Sequence, residues 1–208
     1  VWLHIMEPTA AIPLIVVCGL LMHAMPLFKL RKELDFSRLL PFVICGVFGV
    51  PLGTWALGYM DPEIFRTIIG AFLAVYGIWM LTRPHTLIGE TGGRPLDGLV
   101  GLSGGFLGGF AGLSGLLPTL WVGIRGWPKN KQRGTYQPFV LVIHAIGIAT
   151  FAASGMITQQ TSHDFLWCIP AIIGGAWLGV KFYPYLNDVI FKRIILGLIL
   201  LSGVTLLI

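Results

Sequence analysis

The chain reads as an all-α protein, a polytopic bundle of membrane helices with two homologous, inverted repeats. Each repeat is expected to hold a Gly-rich broken helix, and the first repeat is incomplete. Three observations predict this class. Hydrophobic residues fill 55% of the 208 positions and charged residues 11%, where soluble domains carry about 25% charged residues. Apolar runs of membrane length recur along the chain. Residues 41–82 also align without a gap on residues 167–208, an offset of 126 positions (167 − 41). With a mean hydropathy of +0.83, the net charge of +5 does not indicate nucleic acid. In a membrane protein, Lys and Arg mark the cytoplasmic loops.

The first apolar run spans about Thr9–Phe28, followed by the charged segment KLRKELDFSR from Lys29 to Arg38. The second spans about Leu39–Gly58, and a linker with Asp61, Pro62 and Glu63 leads to the third at about Thr67–Leu81. After a Gly-, Pro- and Thr-rich linker comes the stretch Gly98–Trp127, then the basic linker RGWPKNKQRG from Arg125 to Gly134. Three further runs span about Thr135–Ile157, Phe165–Val180 and Val189–Ile208. No segment is long and polar enough for a soluble domain. The expectation is one transmembrane domain over 1–208, with repeat 1 at about 1–82, a linker at 83–97 and repeat 2 at about 98–208. Cys18, Cys45 and Cys168 all lie within apolar runs, without a CxxC pair or metal-ligand spacing. They read as small buried hydrophobes, and neither metal nor cofactor is expected.

The 126-residue offset carries ten identities, among them Gly49/Gly175, Leu52/Leu178, Gly53/Gly179, Phe65/Phe191, Ile69/Ile195 and Gly77/Gly203. Biased composition alone would give about three or four, and internal duplication is a mark of transporter folds. The counterpart of Gly98–Gly126 would precede Val1. About 30 to 60 further N-terminal residues are therefore expected in the natural protein.

Gly98–Trp127 holds ten glycines, one proline and no charge before Arg125. Each glycine costs about 1 kcal/mol against Ala in a helix interior, a composition a plain lipid-facing anchor would not need. Glycine permits close backbone approach and kinks. Whether the stretch crosses the membrane is decided by the basic residues. If it enters and returns on one side, the linkers 29–38, 82–97, 125–134 and 181–193 share that side and hold 13 of the 14 Lys and Arg residues, leaving Arg66 opposite. A single crossing would split them 6 to 8, with no bias at all. The positive-inside rule favours re-entry. Three true crossings per repeat then invert one repeat against the other.

The break is expected between Gly112 and Pro118. Proline donates no backbone hydrogen bond, disfavours helix before it and suits the first turn of a new helix. A half-helix starting near Leu116–Pro118 would present bare amides and a partial positive charge, suited to an anion. Gly112, Ser114, Gly115, Pro118 and Thr119 are the resulting candidates. A plainer alternative is a close-packing face formed by Gly101, Gly105 and Gly109, and the two can coexist on different faces. Downstream, Arg125, Lys129, Lys131 and Arg133 read as a solvated loop, with Arg133 a secondary anion contact. Gln137, which starts the next helix, and His144, about 10 Å further in, complete the substrate-binding candidates. His23 is placed at the interface, with Trp127, Trp167, Tyr59, Tyr183 and Tyr185 as belt aromatics. All nine carboxylates, Asp97 included, are assigned to linkers or run ends. A cation would find little opposite charge within the bilayer; an anion would find helix ends and hydroxyls.

The segment GGFLGGFAGLSGLLPTLWVGIRGWPKNKQRGTYQPFVLVIH, Gly104–His144, resembles the second repeat of the sulfite exporter TauE/SafE family. PLG at Pro51–Gly53 and WLG at Trp177–Gly179 resemble its recurrent small-residue helix motif. The resemblance covers the whole chain apart from the absent first element. Ser114 and Leu116 interrupt the family's commoner GxGGxxxP pattern. The resemblance implies transport of small oxyanions or organosulfur anions, typically sulfite or sulfonates, across the inner membrane. Export of an anion from a negative-inside cell is favoured by about 2.3 kcal/mol per charge per 100 mV, so an exporter needs no coupling carboxylate.

The sequence reading is a multi-pass inner-membrane carrier, expected to export small anions such as sulfite, sulfonates or related organosulfur and carboxylate anions. Its partners are the anion and the lipid bilayer, with no nucleic acid, and a homo-oligomer is compatible with it. Two alternatives stand beside it. A membrane-embedded enzyme would want a polar constellation, but His4, Glu7, His85, Glu90, His163 and Asp164 are scattered. A non-transporting assembly factor would show no saturable flux.

Overall fold

A computed structural model describes residues 2–27, 34–82, 89, 92–182 and 188–207. The belt assignments of Tyr183 and Tyr185, and the residues His85 and Glu90, lie outside these. The described chain is helical throughout: α1 (Trp2–Ile5), α2 (Pro8–Leu27), α3 (Phe36–Tyr59), α4 (Pro62–Thr82), α5 (Gly93–Ala111), α6 (Leu116–Ile124), α7 (Lys129–Ala153), α8 (Gln159–Phe182) and α9 (Asp188–Leu207). Three of these, α3, α4 and α7, are long and apolar enough to cross a membrane. On α3 the large apolar side chains Leu40, Ile44, Phe48, Leu52, Trp55 and Tyr59 are exposed. They recur every three or four residues, which puts them on one face of the helix, as expected where the solvent is lipid.

The expected runs correspond to helices, with most starts moved outward and some ends moved inward. The α4 helix begins at Pro62 rather than Thr67, because proline fits the first turn and Asp61 caps it through the amides of Glu63 and Ile64. The α7 helix begins at Lys129, so most of the basic linker is helical. Pro41 and Pro51 lie inside α3 and Pro138 inside α7, as tolerated in membrane helices whose neighbours compensate the lost bond.

Packing fixes the direction of each helix. Glycines 101, 105 and 109 of α5 meet Phe42, Gly46 and Val50 of α3 in ascending order, so α3 and α5 run parallel. On α5, Gly104 meets Phe139 and Gly108 meets Ile143 of α7, so α7 runs the same way. In α2 the order is reversed, with Gly19 at His144 and Val16 at Gly147. In α9, Leu200 meets Gly77 while Gly203 meets Gly70, making α4 and α9 antiparallel. The starts of α3, α5 and α7 therefore share one end of the bundle, here called the base. Among the described residues, Arg66 is the one Lys or Arg at the opposite end.

Two apolar clusters hold the bundle together. One joins Ile12, Val16, Leu57, Phe65, Ile69, Leu73, Phe110 and Phe151 towards the end opposite the base. The other joins Leu39, Phe42 and Val50 with Val122, Trp127, Phe139, Val140 and Ile143.

Candidate functional site

The helix break falls where glycine and proline predict it. The α5 helix stops at Ala111, and Gly112 follows at φ +70°, the left-handed conformation that suits glycine and ends helices. Its N–H closes on the Gly108 carbonyl at 3.1 Å and the Leu113 N–H on the Leu107 carbonyl at 3.1 Å. The α6 helix starts at Leu116, and its first regular bond runs from the Thr119 N–H to the Gly115 carbonyl at 3.0 Å. Leu116 donates to the Leu113 carbonyl at 3.3 Å. Among the described residues, the amides of Ser114, Gly115 and Leu117 make no backbone hydrogen bond, and Pro118 has none to offer.

After the break the chain turns back. Pro118 packs on Gly104, and Trp121 donates from Nε1 to Asp97 Oδ1 at 2.6 Å. At the base, Arg125 Nη2 lies 3.1 Å from Asp97 Oδ1 and donates to the Gly93 carbonyl at 3.0 Å. Residues 93–125 thus form a re-entrant helical hairpin that enters and leaves the bundle at one end. Glycine makes this possible on two faces of α5. Gly101, Gly105 and Gly109 let the α3 backbone approach, while Gly104 and Gly108 accept Pro118 and Ser114.

The turn lies beside the middles of α2 and α7. Gly112 faces Ile15 and Val16 of α2. Ser114, fully buried, places Oγ 3.0 Å from His144 Nε2; which atom donates depends on the imidazole tautomer. His144 is 4% exposed, its Nδ1 has no hydrogen-bond partner among the described residues, and its ring occupies the notch left by Gly19. The His23 ring stands edge-on to it, 5.8 Å away, so His23 contacts His144 rather than simply marking the interface.

Of the sequence candidates, the fold gathers Gly112, Ser114, Gly115, Pro118 and His144 around the turn. Gly115 lies against Val140, and a Cβ there would come within 3.2 Å of it. Gln137 is half-buried, two turns before His144 on α7, with Oε1 buried and unpartnered. Thr119 and Arg133 occupy exposed positions away from the Ser114–His144 pair. Two open grooves beside the hairpin, of about 410 and 200 Å³, are lined by apolar residues with Ser103, and neither touches that pair.

The base of the hairpin corrects three assignments. Arg125, expected in a solvated loop, is 4% exposed, and Asp97, assigned to a linker, is 4% exposed within α5. Trp127, expected in an interfacial belt, is buried with the Arg38 guanidinium 4.5 Å from its ring centre and that of Arg125 at 5.6 Å. The physical reason is common to all three. A carboxylate and a guanidinium on adjacent legs satisfy each other, and aromatic rings cover the pair. The sequence signal was one acid and one base bracketing an uncharged Gly-rich stretch.

Compared with protein-family models, the chain matches the one described as sulfite exporter TauE/SafE, over residues 1–206. No curated protein and no solved structure matches.

Proposed function

The chain belongs to the sulfite exporter TauE/SafE family, and from that premise we propose that it is a multi-pass inner-membrane carrier exporting small anions such as sulfite or sulfonates. The carrying observation is the hairpin turn, where a half-helix begins with bare amides beside Ser114 and His144. In the low-dielectric interior such amides favour a negative charge. Ser114 Oγ can donate to an oxyanion, and His144 holds that hydroxyl in place. Gly112, Gly115 and Pro118 shape the turn, while Thr119, Gln137 and Arg133 act on the anion's approach rather than in its innermost shell.

The proposed cycle is alternating access between two inverted repeats. Helix pairs matched by the 126-residue offset, α2 with α7 and α4 with α9, run in opposite directions, which supports the inversion. Ser114 is closed off from solvent, which suits an occluded stage of such a cycle. The base carries nearly all the described Lys and Arg residues, so it is assigned to the cytoplasm.

The test is flux of radiolabelled sulfite from proteoliposomes. Ser114→Ala and Gly115→Leu should abolish flux while leaving membrane insertion intact, the first by removing a donor and the second by filling the turn against Val140. Normal flux in both variants would refute the site.

A further inference from the structure

We propose that Asp97, Trp121 and Arg125 are positioning residues for transport, forming a pivot about which α6 swings its N-terminal end. The proposal rests on the anion site described above, because it concerns what aims that site.

Side-chain packing holds α6 on one side only. Its buried residues are Pro118 and Val122 alone, and a Cβ on Gly123 would meet nothing within 4 Å. Two open grooves, of about 410 and 200 Å³, border it at Leu117, and the smaller one also reaches Leu120 and Trp121. A helix packed to interior density on all sides could not move without overlap. Here there is room on one side.

Its two ends are held by polar contacts of unequal strength. At the base, the Asp97–Arg125 pair is 3.1 Å long, with side-chain exposures of 6% and 1%. The Trp121 indole N–H reinforces it at 2.6 Å, and Arg125 also reaches the Gly93 carbonyl. Buried partners of this kind separate reluctantly, since each would leave the other uncompensated. Trp127 then ties the pivot to Arg38 at the start of α3. At the other end, one hydrogen bond joins Ser114 to His144.

Over a nine-residue helix of about 13 Å, a rotation of about 10° at the base moves the tip by about 2 Å. That is enough to make or break a hydrogen bond, whose useful range is about 2.7–3.2 Å. An anion competing for Ser114 Oγ and the free amides releases the tip, and α6 turns on its anchored end. The cluster acts through α6 and does not touch the anion.

The test is sulfite transport kinetics in proteoliposomes, with hydrogen exchange as a readout that needs no substrate. Asp97→Asn keeps shape but removes the charge. It should raise the sulfite KM about tenfold, equivalent to about 1.4 kcal/mol, with maximal flux within about twofold. Trp121→Phe keeps a ring but removes the N–H and should raise KM about threefold. In Asp97→Asn, amides 112–119 should exchange faster than in the wild type without sulfite. An unchanged KM in both variants, alongside a dead Ser114→Ala, overturns the pivot but not the site. Normal flux in Ser114→Ala overturns the site instead. If Asp97→Asn fails to insert, Trp121→Phe decides by both readouts. If wild-type protein moves no sulfite, the exchange rates of 112–119 alone decide, and unchanged rates overturn the pivot.

Discussion

Consider adding one methyl group at Gly105. The seam between α3 and α5 brings backbone against backbone. A Cβ on Gly105 would overlap the Gly46 carbonyl oxygen and stand 2.7 Å from its carbon, 0.7 Å inside the 3.4 Å at which ordinary contact begins. No side-chain rotation relieves this, because the obstacle is main chain. The two helices must part by at least that 0.7 Å, and the same parting loosens the contacts of Gly101 and Gly109 on the seam. Overpacking of this kind costs about 1–3 kcal/mol. Alanine also gains up to about 1 kcal/mol in helix propensity over glycine, which would mask part of the loss. Gly197, inside α9 with nothing within 4 Å of a Cβ, supplies the control, since it takes the same gain without the clash. The difference between Gly105→Ala and Gly197→Ala therefore isolates the seam. By the scaling of domains this size, Gly105→Ala should melt about 2–12 °C below Gly197→Ala. Thermal unfolding of the detergent-purified proteins reads this directly. Equal melting temperatures would show that the seam is not close-packed, and the parallel arrangement of α3 and α5 would lose its physical basis.

Other perturbations have definite expected outcomes. Gly112→Ala places a side chain at φ +70° and a Cβ 3.0 Å from Ile15. It should lose about 1–2 kcal/mol from the left-handed conformation alone, seen as a lower melting temperature. Thr54 is 1% exposed with Oγ1 unpartnered among the described residues, so Thr54→Val should raise stability by about 1 kcal/mol; a fall would mean that the hydroxyl has a use. Arg125→Gln leaves Asp97 charged and buried and should cost about 3–5 kcal/mol. The exposed Lys131→Gln should stay within about 0.5 kcal/mol of wild type, and similar melting of the two variants would contradict the buried pair.

Much of the fold was legible because membrane helices advertise themselves by composition, and glycine and proline by conformation. The break between Ala111 and Leu116 follows from Gly112, which takes a conformation other residues resist, and from Pro118, which suits a helix start. The hairpin's return followed from where Lys and Arg fall. The two glycine faces of α5 were half legible. The spacing of 101, 105 and 109 predicted a close-packing face, but nothing local said that α3 would fill it, or that 104 and 108 would receive the turn. Buried charge was the least legible feature. Asp97 and Arg125 are 28 positions apart (125 − 97), and their pairing exists only once the hairpin closes. Local composition assigned each to water. His23 was misjudged for the same reason, since its neighbour His144 is brought to it by the packing of α2 on α7.

The hairpin adds no net passage through the bundle. Whatever follows residue 125 is threaded in the same sense as if the chain had gone straight from 92 to 126. The segment is therefore exchangeable as a cassette. If the proposed site is right, its replacement by the equivalent piece of another family member would alter what the protein recognises without turning any later helix upside down.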